Sequence, residues 1–350
     1  MYSCIIDQLS LDRWEIYCSA FSAMNIYQAG LYGQLHSKGI FRSCSRVAVL
    51  DGMTVKALAQ LRIKKIPFLK VGVAEVDWGP IWHNDQKGIE DEAIGVLLDT
   101  LKEEYCLKRK LDVRIRPRST MSSDEDARQE ALFLSHGFRK NPKVRSYHTV
   151  VIDLNKSLET IRAEFHQKWR NQLNVAERAG LKHEFGTSIE HFDRFYAIYK
   201  KMWKTKKFPT GVRLPIIREL QKKLTQNEKF IITFVRDDKT DIGATVCSAM
   251  GDTMLYFLGA TLPSQRNDSR PGYLLQWLHI QKAKELGMRW YDLGGYNDDN
   301  PDIARFKKRT NGLQIVFPGQ FEAMPNRALS KIYVFMENVF RKMRRIVTGK

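Results

Sequence analysis

Residues 270–312 decide the fold; they read RPGYLLQWLHIQKAKELGMRWYDLGGYNDDNPDIARFKKRTNG. Pro271 and Gly272 begin a predicted helix that runs to Glu285 and stops at Gly287. MRWYDLGG follows as a strand that ends at a pair of glycines. The segment DIARFKKRT then predicts a short helix, and LQIVF a last strand. A helix that crosses between strands in this way, beside a run of consecutive strands, indicates an α+β fold.

A similar order of elements is predicted in both halves of the 350-residue chain. The first half alternates strands at 66–76, 111–117 and 145–154 with helices at 89–107 and 127–135. The second half opens with helices at 158–179, 189–206 and 214–225, followed by strands at 229–236, 241–250 and 253–260. We therefore predict two tandem domains, residues 1–154 and 155–320, and a basic amphipathic tail helix at 326–350.

The charge balance narrows the classes of partner. The chain has 57 Lys and Arg residues against 39 Asp and Glu, a net charge of +18. This excess favours nucleic acid, an anionic membrane surface or phosphate-rich substrates. The composition is that of a globular protein, and no apolar run is long enough to span a membrane. The first residues, MYSCIIDQLSLDRW, do not resemble a secretory signal.

The five cysteines are scattered and include no C-x-x-C pair. A disulfide framework or a zinc site would need clustered spacing. We therefore expect reduced thiols, no bound metal, and a location in the cytoplasm.

Basic residues gather at the end of the chain. From Arg327 onward there are seven bases and one acid, Glu337, and apolar residues recur at helical spacing. One interpretation is an amphipathic helix that binds anionic lipid or RNA phosphates. The other is a terminal helix that packs its apolar stripe on the body of the protein.

The glycine pair Gly294-Gly295 marks a candidate site. Two glycines allow a sharp turn and the close approach of a ligand. Arg305 and Arg309 follow on the short helix, where a base beyond the end of a strand could hold an anionic substrate or a developing oxyanion. A solvated basic helix is the alternative interpretation.

The segment 258–275, LGATLPSQRNDSRPGYLL, is a candidate phosphate site. It combines Arg266 and Arg270 with the start of a helix, whose free amides favour anions. Acetyltransferases that use acyl-CoA carry a tight glycine-rich loop at this position. Here Ser269 and Pro271 replace its small residues, and proline removes an amide donor. The sequence therefore predicts weakened binding of CoA.

Arg162 and Arg170 form a row on the predicted helix 158–179, which is either a solvated face or a phosphate-binding ladder. The chain has no Walker loop, no G-x-G-x-x-G and no G-x-S-x-G motif. These absences argue against a kinase, a dehydrogenase or a serine hydrolase.

Several segments together resemble the Fem aminoacyltransferase family, whose members are tRNA-dependent ligases that extend peptidoglycan bridge peptides, and the Fem-like acyltransferases of polysaccharide loci. The similarity is strongest in residues 258–312. FHQKWRNQLNVAERAGLK at 165–182 resembles the basic helix that starts the family's second domain. Asp77-Trp78-Gly79-Pro80 resembles its "GP" turn, and YQAGLYGQL at 27–35 its N-terminal signature.

The resemblance implies two tandem GNAT domains, which are acyl-CoA N-acyltransferase-like. Because the sequence has no extended heptad region, we expect the coiled-coil arm of some family members to be absent. The resemblance also implies that the final segment, 321–350, crosses back to pack on the first domain.

Phe306-Lys307 matches the start of the family's F-K-x-x-F-G motif, whose lysine lies in the acyl-transfer site. Thr310-Asn311 replaces the aromatic residue and glycine that end the motif. Arg213 would correspond to an arginine that binds the substrate diphosphate. His36, with Lys38 nearby, stands in place of a lysine in the N-terminal signature. Trp78 and Tyr291 are also predicted to bind substrate.

The implied reaction moves an aminoacyl group from aminoacyl-tRNA to a primary amine of a nucleotide- or lipid-linked muropeptide, for cell wall biogenesis. The ester is already activated, so the enzyme need only align the amine and stabilise an oxyanion. Lys307 is the predicted cation. Asp292 would orient Lys307 or the amine, or cap the glycine turn. We expect a monomer without a cofactor, which contacts the inner face of the membrane.

Two alternatives stay open at this point. The chain could use acyl-CoA as a co-substrate to N-acylate an amino sugar or an exopolysaccharide precursor. It could also be a non-catalytic scaffold that binds RNA or a membrane through its basic surface.

Overall fold

The structure, a computed structural model, describes residues 1–66, 71–82, 91–206, 212–238, 240–263, 269–297, 299–326, 330–331, 333–337 and 339. The chain divides into two units: unit 1 is Met1–Ser146 with Phe317–Lys350, and unit 2 is Tyr147–Val316. The expected boundary after residue 154 therefore lies inside unit 2. The reason is that the strand predicted at 145–154 pairs with strands of the second sheet.

The described elements alternate strands and helices in both units. The strands are β1 (Tyr2–Ile6), β2 (Arg42–Asp51), β3 (Thr54–Lys65), β4 (Gly72–Asp77), β5 (Asp112–Arg116), β6 (Arg139–Lys140), β7 (His148–Asp153), β8 (Lys182–Gly186), β9 (Ile231–Asp237), β10 (Thr240–Met250), β11 (Thr253–Thr261), β12 (Trp290–Asp292), β13 (Leu313–Val316) and β14 (Phe321–Ala323). The helices are α1 (Leu11–Cys18), α2 (Gly30–His36), α3 (Asp91–Leu101), α4 (Ser123–Ser135), α5 (Leu158–Glu164), α6 (Gln167–Arg178), α7 (Ile189–Lys206), α8 (Leu214–Lys223), α9 (Pro271–Glu285) and α10 (Pro301–Lys308), with a π-helical segment at Lys102–Lys108.

Unit 1 is built on a sheet in the order β1-β2-β3-β4-β5-β14-β6. β4 and β5 run parallel, which requires a long crossover connection, and α3 lies in that connection. The other described strand pairs of this sheet are antiparallel. β14 enters between β5 and β6 although it comes from the far end of the chain. Phe321 of β14 is fully buried and stacks on Phe133, with 4.9 Å between ring centroids. The C-terminal segment thus completes the core of unit 1.

Unit 2 repeats this plan in the order β13-β7-β12-β11-β10-β9-β8. Its parallel pair is β11 and β12, joined through α9. β7 lies between β13 and β12, so it is an interior strand with apolar residues on both faces. The core of the unit gathers Trp169, Phe165, Trp277 and Tyr291 between this sheet and helices α6 and α9.

The single helix predicted at 158–179 is two helices, α5 and α6, divided at Phe165 and His166. Both residues have extended backbones, with ψ angles of 142° and 138°. The imidazole of His166 caps α6 by accepting a hydrogen bond from the Lys168 amide at 3.1 Å. Arg170 closes the end of α5 by donating to the carbonyls of Ala163 and Phe165. Local capping therefore overrides the continuous helical pattern.

None of the helices in the described part of the chain combines the length and the apolar character of a membrane span.

Candidate active site

The candidate site lies where the parallel strands of unit 2 separate. β11 and β12 pair only from Thr253 and Trp290 to Leu255 and Asp292. Just beyond, β11 contains a bulge, because the register against β10 shifts between Val246 and Cys247. The glycine pair that follows β12 turns the chain at this point. The carboxyl end of a strand at which parallel pairing stops is a common place for a ligand in α/β sheets.

Gly294 is required by the geometry of this turn. Its φ is +75°, in the left-handed region, and an added Cβ would lie 2.6 Å from the carbonyl oxygen of Tyr256. Both constraints exclude any residue with a side chain. The backbone of the turn therefore lies directly against β11.

The side chain of Asp292 holds the glycine turn in place. It is fully buried, and its Oδ1 accepts hydrogen bonds from the hydroxyl of Thr149 and, at 2.8 Å, from the amide of Gly294. The Thr149 hydroxyl also lies 3.0 Å from the Gly294 carbonyl oxygen. This carboxylate is thus a cap for the glycine turn, as one of the two sequence interpretations proposed.

Lys307 reaches the turn from α10. Asn300 caps this helix and Pro301 begins it, so that the lysine side chain points to the glycine pair. Only 7% of Lys307 is exposed, and its Nζ donates to the carbonyl oxygens of Gly294 and Gly295, both at 2.8 Å. Nζ also lies 5.6 Å from the ring centroid of Tyr256.

Burial lowers the pKa of Lys307 to about 8, although the nearby Asp292 carboxylate acts in the opposite direction. An amine with this pKa is mostly an ammonium at neutral pH and loses its proton in mild base. A buried cation beside two backbone carbonyls is suited to stabilise negative charge that develops on a substrate.

Phe306, the neighbour of Lys307 on α10, belongs to an aromatic cluster with residues of α6 and α9. Phe306 packs on Tyr273 and Trp169, with centroid distances of 4.9 and 6.0 Å. Burial raises the pKa of Tyr273, against the opposing effect of Arg309 and Arg270. Phe306 therefore anchors α10 in the core.

The other residues predicted for unit 2 lie in several places. Tyr291 points into the core, where its hydroxyl donates to Gln276 at 2.6 Å and lies 3.1 Å from Nδ1 of His279. Burial lowers the pKa of that histidine to about 3, so it is neutral. Arg305 is exposed and pairs with Asp302 at 3.4 Å. Tyr291 thus belongs to the core on the other face of β12 from Asp292.

Three predicted arginines stay outside the glycine turn. Arg170 closes α5, as described above. Arg270 begins α9 with a φ of 43° and donates to Gln172 at 2.7 Å, and Arg213 is the exposed N-cap residue of α8. Arg266 lies outside the described residues. A role for any of them in binding a diphosphate stays a prediction.

The residues predicted in unit 1 are Trp78, His36 and Lys38. Trp78 has a φ of 53° and packs on Phe317 and Tyr27, just before the cis Gly79-Pro80 bond. His36 is half-buried and stacks on Tyr32, whereas Lys38 is exposed. A role for Trp78, His36 and Lys38 in binding a substrate stays a prediction.

Glu75 and Asp77, on β4, hold a charge network together. Lys64 lies 2.5 Å from Glu75, and Arg62 and Arg116 both pair with Asp77. Burial opposes ionisation of Glu75, but Lys64, Arg116 and Arg62 outweigh it and lower its pKa to about 2. The network is therefore an ionised structural support of this sheet.

Three neighbours of Lys307 and the glycine pair were not predicted from the sequence: Thr149, Tyr256 and Tyr147. An added Cβ on Gly295 would lie 2.5 Å from the Tyr147 ring. One signal was available, because Thr149 is a polar residue inside the apolar strand HTVVID. The other two come close only through the pairing of distant strands.

The described residues contain no group of three or more His, Cys, Asp or Glu side chains that could hold a metal ion. For CoA, the N-terminus of α9 offers amides to a phosphate, but Pro271 supplies none.

The family model for the acetyltransferase (GNAT) domain matches residues 163–308, which include β11, β12 and Lys307. No curated protein matches the chain. Several solved structures share its fold over nearly the whole length, among them the following three. The structure of FemX has a TM-score of 0.78 at 16% identity, with 94% of this chain and 99% of that chain covered.

The C-terminal domain of a putative lysylphosphatidylglycerol synthetase from Agrobacterium fabrum has a TM-score of 0.58 at 11% identity, covering 94% and 96% of the two chains. A tandem GNAT protein from the clavulanic acid biosynthesis pathway has a TM-score of 0.52 at 14% identity, covering 93% and 99%. The chain therefore shares the fold of FemX and of a tandem GNAT protein over nearly its whole length, and residues 163–308 match a GNAT acetyltransferase domain.

Proposed function

We propose that this chain is an aminoacyltransferase that moves an aminoacyl group from aminoacyl-tRNA to a primary amine of a peptidoglycan-precursor peptide. The observation that carries the proposal is the buried ammonium of Lys307, held by the carbonyls of Gly294 and Gly295 where β11 and β12 separate. The FemX-like fold and the net charge of +18, which favours a polyanionic donor, support it.

Within the described part of the chain, Lys307 uses two of its three N–H donors on the glycine carbonyls, which leaves one for a substrate oxygen. In the proposed step, the acceptor amine attacks the ester carbonyl and a tetrahedral oxyanion forms. The third N–H of Lys307 stabilises this charge. The intermediate collapses by breaking the bond to the ribose oxygen of the tRNA, and that oxygen takes up the proton that the amine loses.

Asp292 and Thr149 support this chemistry without contacting the reacting atoms. Asp292 accepts the Gly294 amide, and the Thr149 hydroxyl, which donates to Asp292, lies against the Gly294 carbonyl, so that together they fix the backbone that aims Lys307. Because the carbonyls are backbone groups between a strand and a helix, the position of the ammonium is set before any substrate binds.

An acyl-CoA-dependent N-acyltransferase is the second candidate, favoured by the match of residues 163–308 to a GNAT acetyltransferase domain. Pro271 at the start of α9 weighs against it, since this position lacks an amide for the pyrophosphate. The proposed acceptors differ as well: a muropeptide amine in the first case, and an amino sugar or exopolysaccharide precursor in the second.

The test is an assay with radiolabelled aminoacyl-tRNA and a nucleotide-linked muropeptide, run beside labelled acetyl-CoA and an amino sugar. We expect label to move from tRNA to the muropeptide, with loss of activity after ribonuclease treatment. Lys307→Met should reduce turnover by a factor of about 100 or more, as expected for the loss of an oxyanion donor. Lys308→Met, which changes the exposed lysine next to it, is the matched control.

Ribonuclease-resistant transfer from acetyl-CoA would replace the tRNA proposal with the second candidate. Equal turnover by wild type and Lys307→Met would refute the site itself. Absence of transfer from every donor would favour a non-catalytic role.

A further inference from the structure

Unit 1 exposes two pairs of apolar side chains. Ile40 and Phe41, just before β2, are 93% and 43% exposed. Val334 and Phe335, on the helical C-terminal residues, are 40% and 66% exposed. Large apolar side chains are exposed singly on most proteins, but adjacent pairs with this much exposure mark an interaction surface.

The two pairs lie on elements that meet. The amide of Lys65 donates to the Phe41 carbonyl at 2.9 Å, which ties the loop to the end of β3. The next residue, Ile66, packs in one cluster with Tyr333 and Met336 of the C-terminal helix. We call this region, formed by Ile40, Phe41, Val334 and Phe335, the apolar surface of unit 1.

Exposed bases accompany these side chains. Lys38, Arg42 and Lys65 lie beside Ile40 and Phe41, and Lys331 lies one turn before Val334 and Phe335. The sequence continues this charge after Glu337 with Arg341, Lys342, Arg344, Arg345 and Lys350, and no acid follows. Glu337 itself pairs with Arg114, at 3.3 Å.

We propose that the apolar surface of unit 1 docks on an anionic lipid membrane. Aliphatic and phenyl side chains enter the boundary between headgroups and acyl chains, while lysines and arginines next to them bind lipid phosphates. Charge complementarity selects this occupant, because the neighbouring bases would repel a basic partner and phosphates alone would give no reason to expose Ile40 and Val334. This proposal does not depend on the acyl donor or acceptor.

The test is co-sedimentation of the full chain with vesicles of phosphatidylcholine alone or mixed with phosphatidylglycerol. We expect binding to the mixed vesicles that weakens with salt. The double variants Ile40→Ser/Phe41→Ser and Val334→Ser/Phe335→Ser should each reduce the partition coefficient by a factor of about 10 or more. Met53→Ser is the control, since this residue is 87% exposed in the turn at the opposite end of the same β2–β3 hairpin.

Far-ultraviolet circular dichroism of each variant checks that the fold is unchanged, because all of these positions are exposed. Failure of the wild type to bind the mixed vesicles would overturn the proposal, as would equal losses in Met53→Ser and the double variants. Salt-sensitive binding of RNA that competes with the vesicles and is unaffected by the double variants would assign the bases to nucleic acid instead. Loss of vesicle binding in the double variants alone would establish the surface.

Discussion

Replacing Lys307 by methionine should change how stability depends on pH. In the unfolded chain this lysine keeps the ordinary pKa of 10.5, whereas burial lowers its pKa in the fold to about 8. The unfolded state therefore binds more protons between these values, and wild-type stability should rise with pH across them. Each pKa unit is worth about 1.4 kcal/mol, so at neutral pH the buried ammonium costs about 3 kcal/mol of unfolding free energy.

The cost falls as the lysine loses its proton. Between about pH 7 and about pH 9.5 the wild type should gain about 2 kcal/mol relative to Lys307→Met, whose side chain has similar length and does not titrate. Using the difference between the two proteins cancels the other groups that titrate in this range. It also removes the constant cost of leaving the Gly294 and Gly295 carbonyls without their donor.

Urea unfolding of both proteins at the two pH values measures this difference, with Lys308→Met as the control that should follow the wild type. A wild-type minus Lys307→Met difference that stays constant within about 0.5 kcal/mol would refute the reasoning, because Lys307 would then titrate as an exposed lysine.

Further predictions concern the groups around this lysine and the network in unit 1. If the ammonium form of Lys307 acts, turnover should fall as pH rises through about 8; a rate that increases there would assign it the role of a base. Gly294→Ala, which places a Cβ 2.6 Å from a β11 carbonyl at a φ of +75°, should lower unfolding free energy by about 2 kcal/mol or more and abolish transfer, whereas an unchanged urea midpoint would contradict the tight turn. Thr149→Val should cost about 1–3 kcal/mol by removing a buried donor to Asp292 and should lower kcat, with Thr149→Ser restoring both. Glu75→Gln should lower unfolding free energy by about 3 kcal/mol at neutral pH, a loss that disappears as pH falls from 4.5 toward 2, because the pKa of Glu75 in the fold is about 2; urea midpoints along that range measure it.

Local signals were sufficient to predict the segment from α9 to α10. Pro271 begins α9, Gly287 follows its end with a positive φ, and Pro301 begins α10, so each boundary has a residue with a fixed conformational preference. The helix predicted at 271–285 has these bounds in the structure. The amphipathic pattern at 189–206 likewise matches α7.

The pairing of strands that are distant in the sequence could not be predicted from the pattern of apolar and polar residues. β7 reads as the end of the first half, yet its partners are β12 and β13. The positions of the strands β1, β2 and β3, which fill the beginning of unit 1, were not predicted. β3 is buried on both faces through Ala57–Leu61 and therefore lacks the alternation that marks a half-exposed strand.

The candidate site was likewise predicted only in part. Lys307 and the glycine pair were predicted, and the structure brings them together through two hydrogen bonds that depend on the left-handed backbone of Gly294. Tyr291 was placed in the same site, but the period of two along a strand directs it to the face opposite Asp292. That assignment could have been made from the sequence by applying the alternation to β12.

The position of β14 determines when unit 1 can be finished. Its sheet needs a strand that the ribosome makes only after the whole of Tyr147–Val316, so β5 and β6 must wait with unpaired edges while unit 2 is synthesised. A chain that stops before Phe321 would keep every element of unit 2 and still leave the other sheet divided. Deletions at the carboxyl end should therefore cause aggregation through the amino-terminal half of the protein, far along the sequence from the cut.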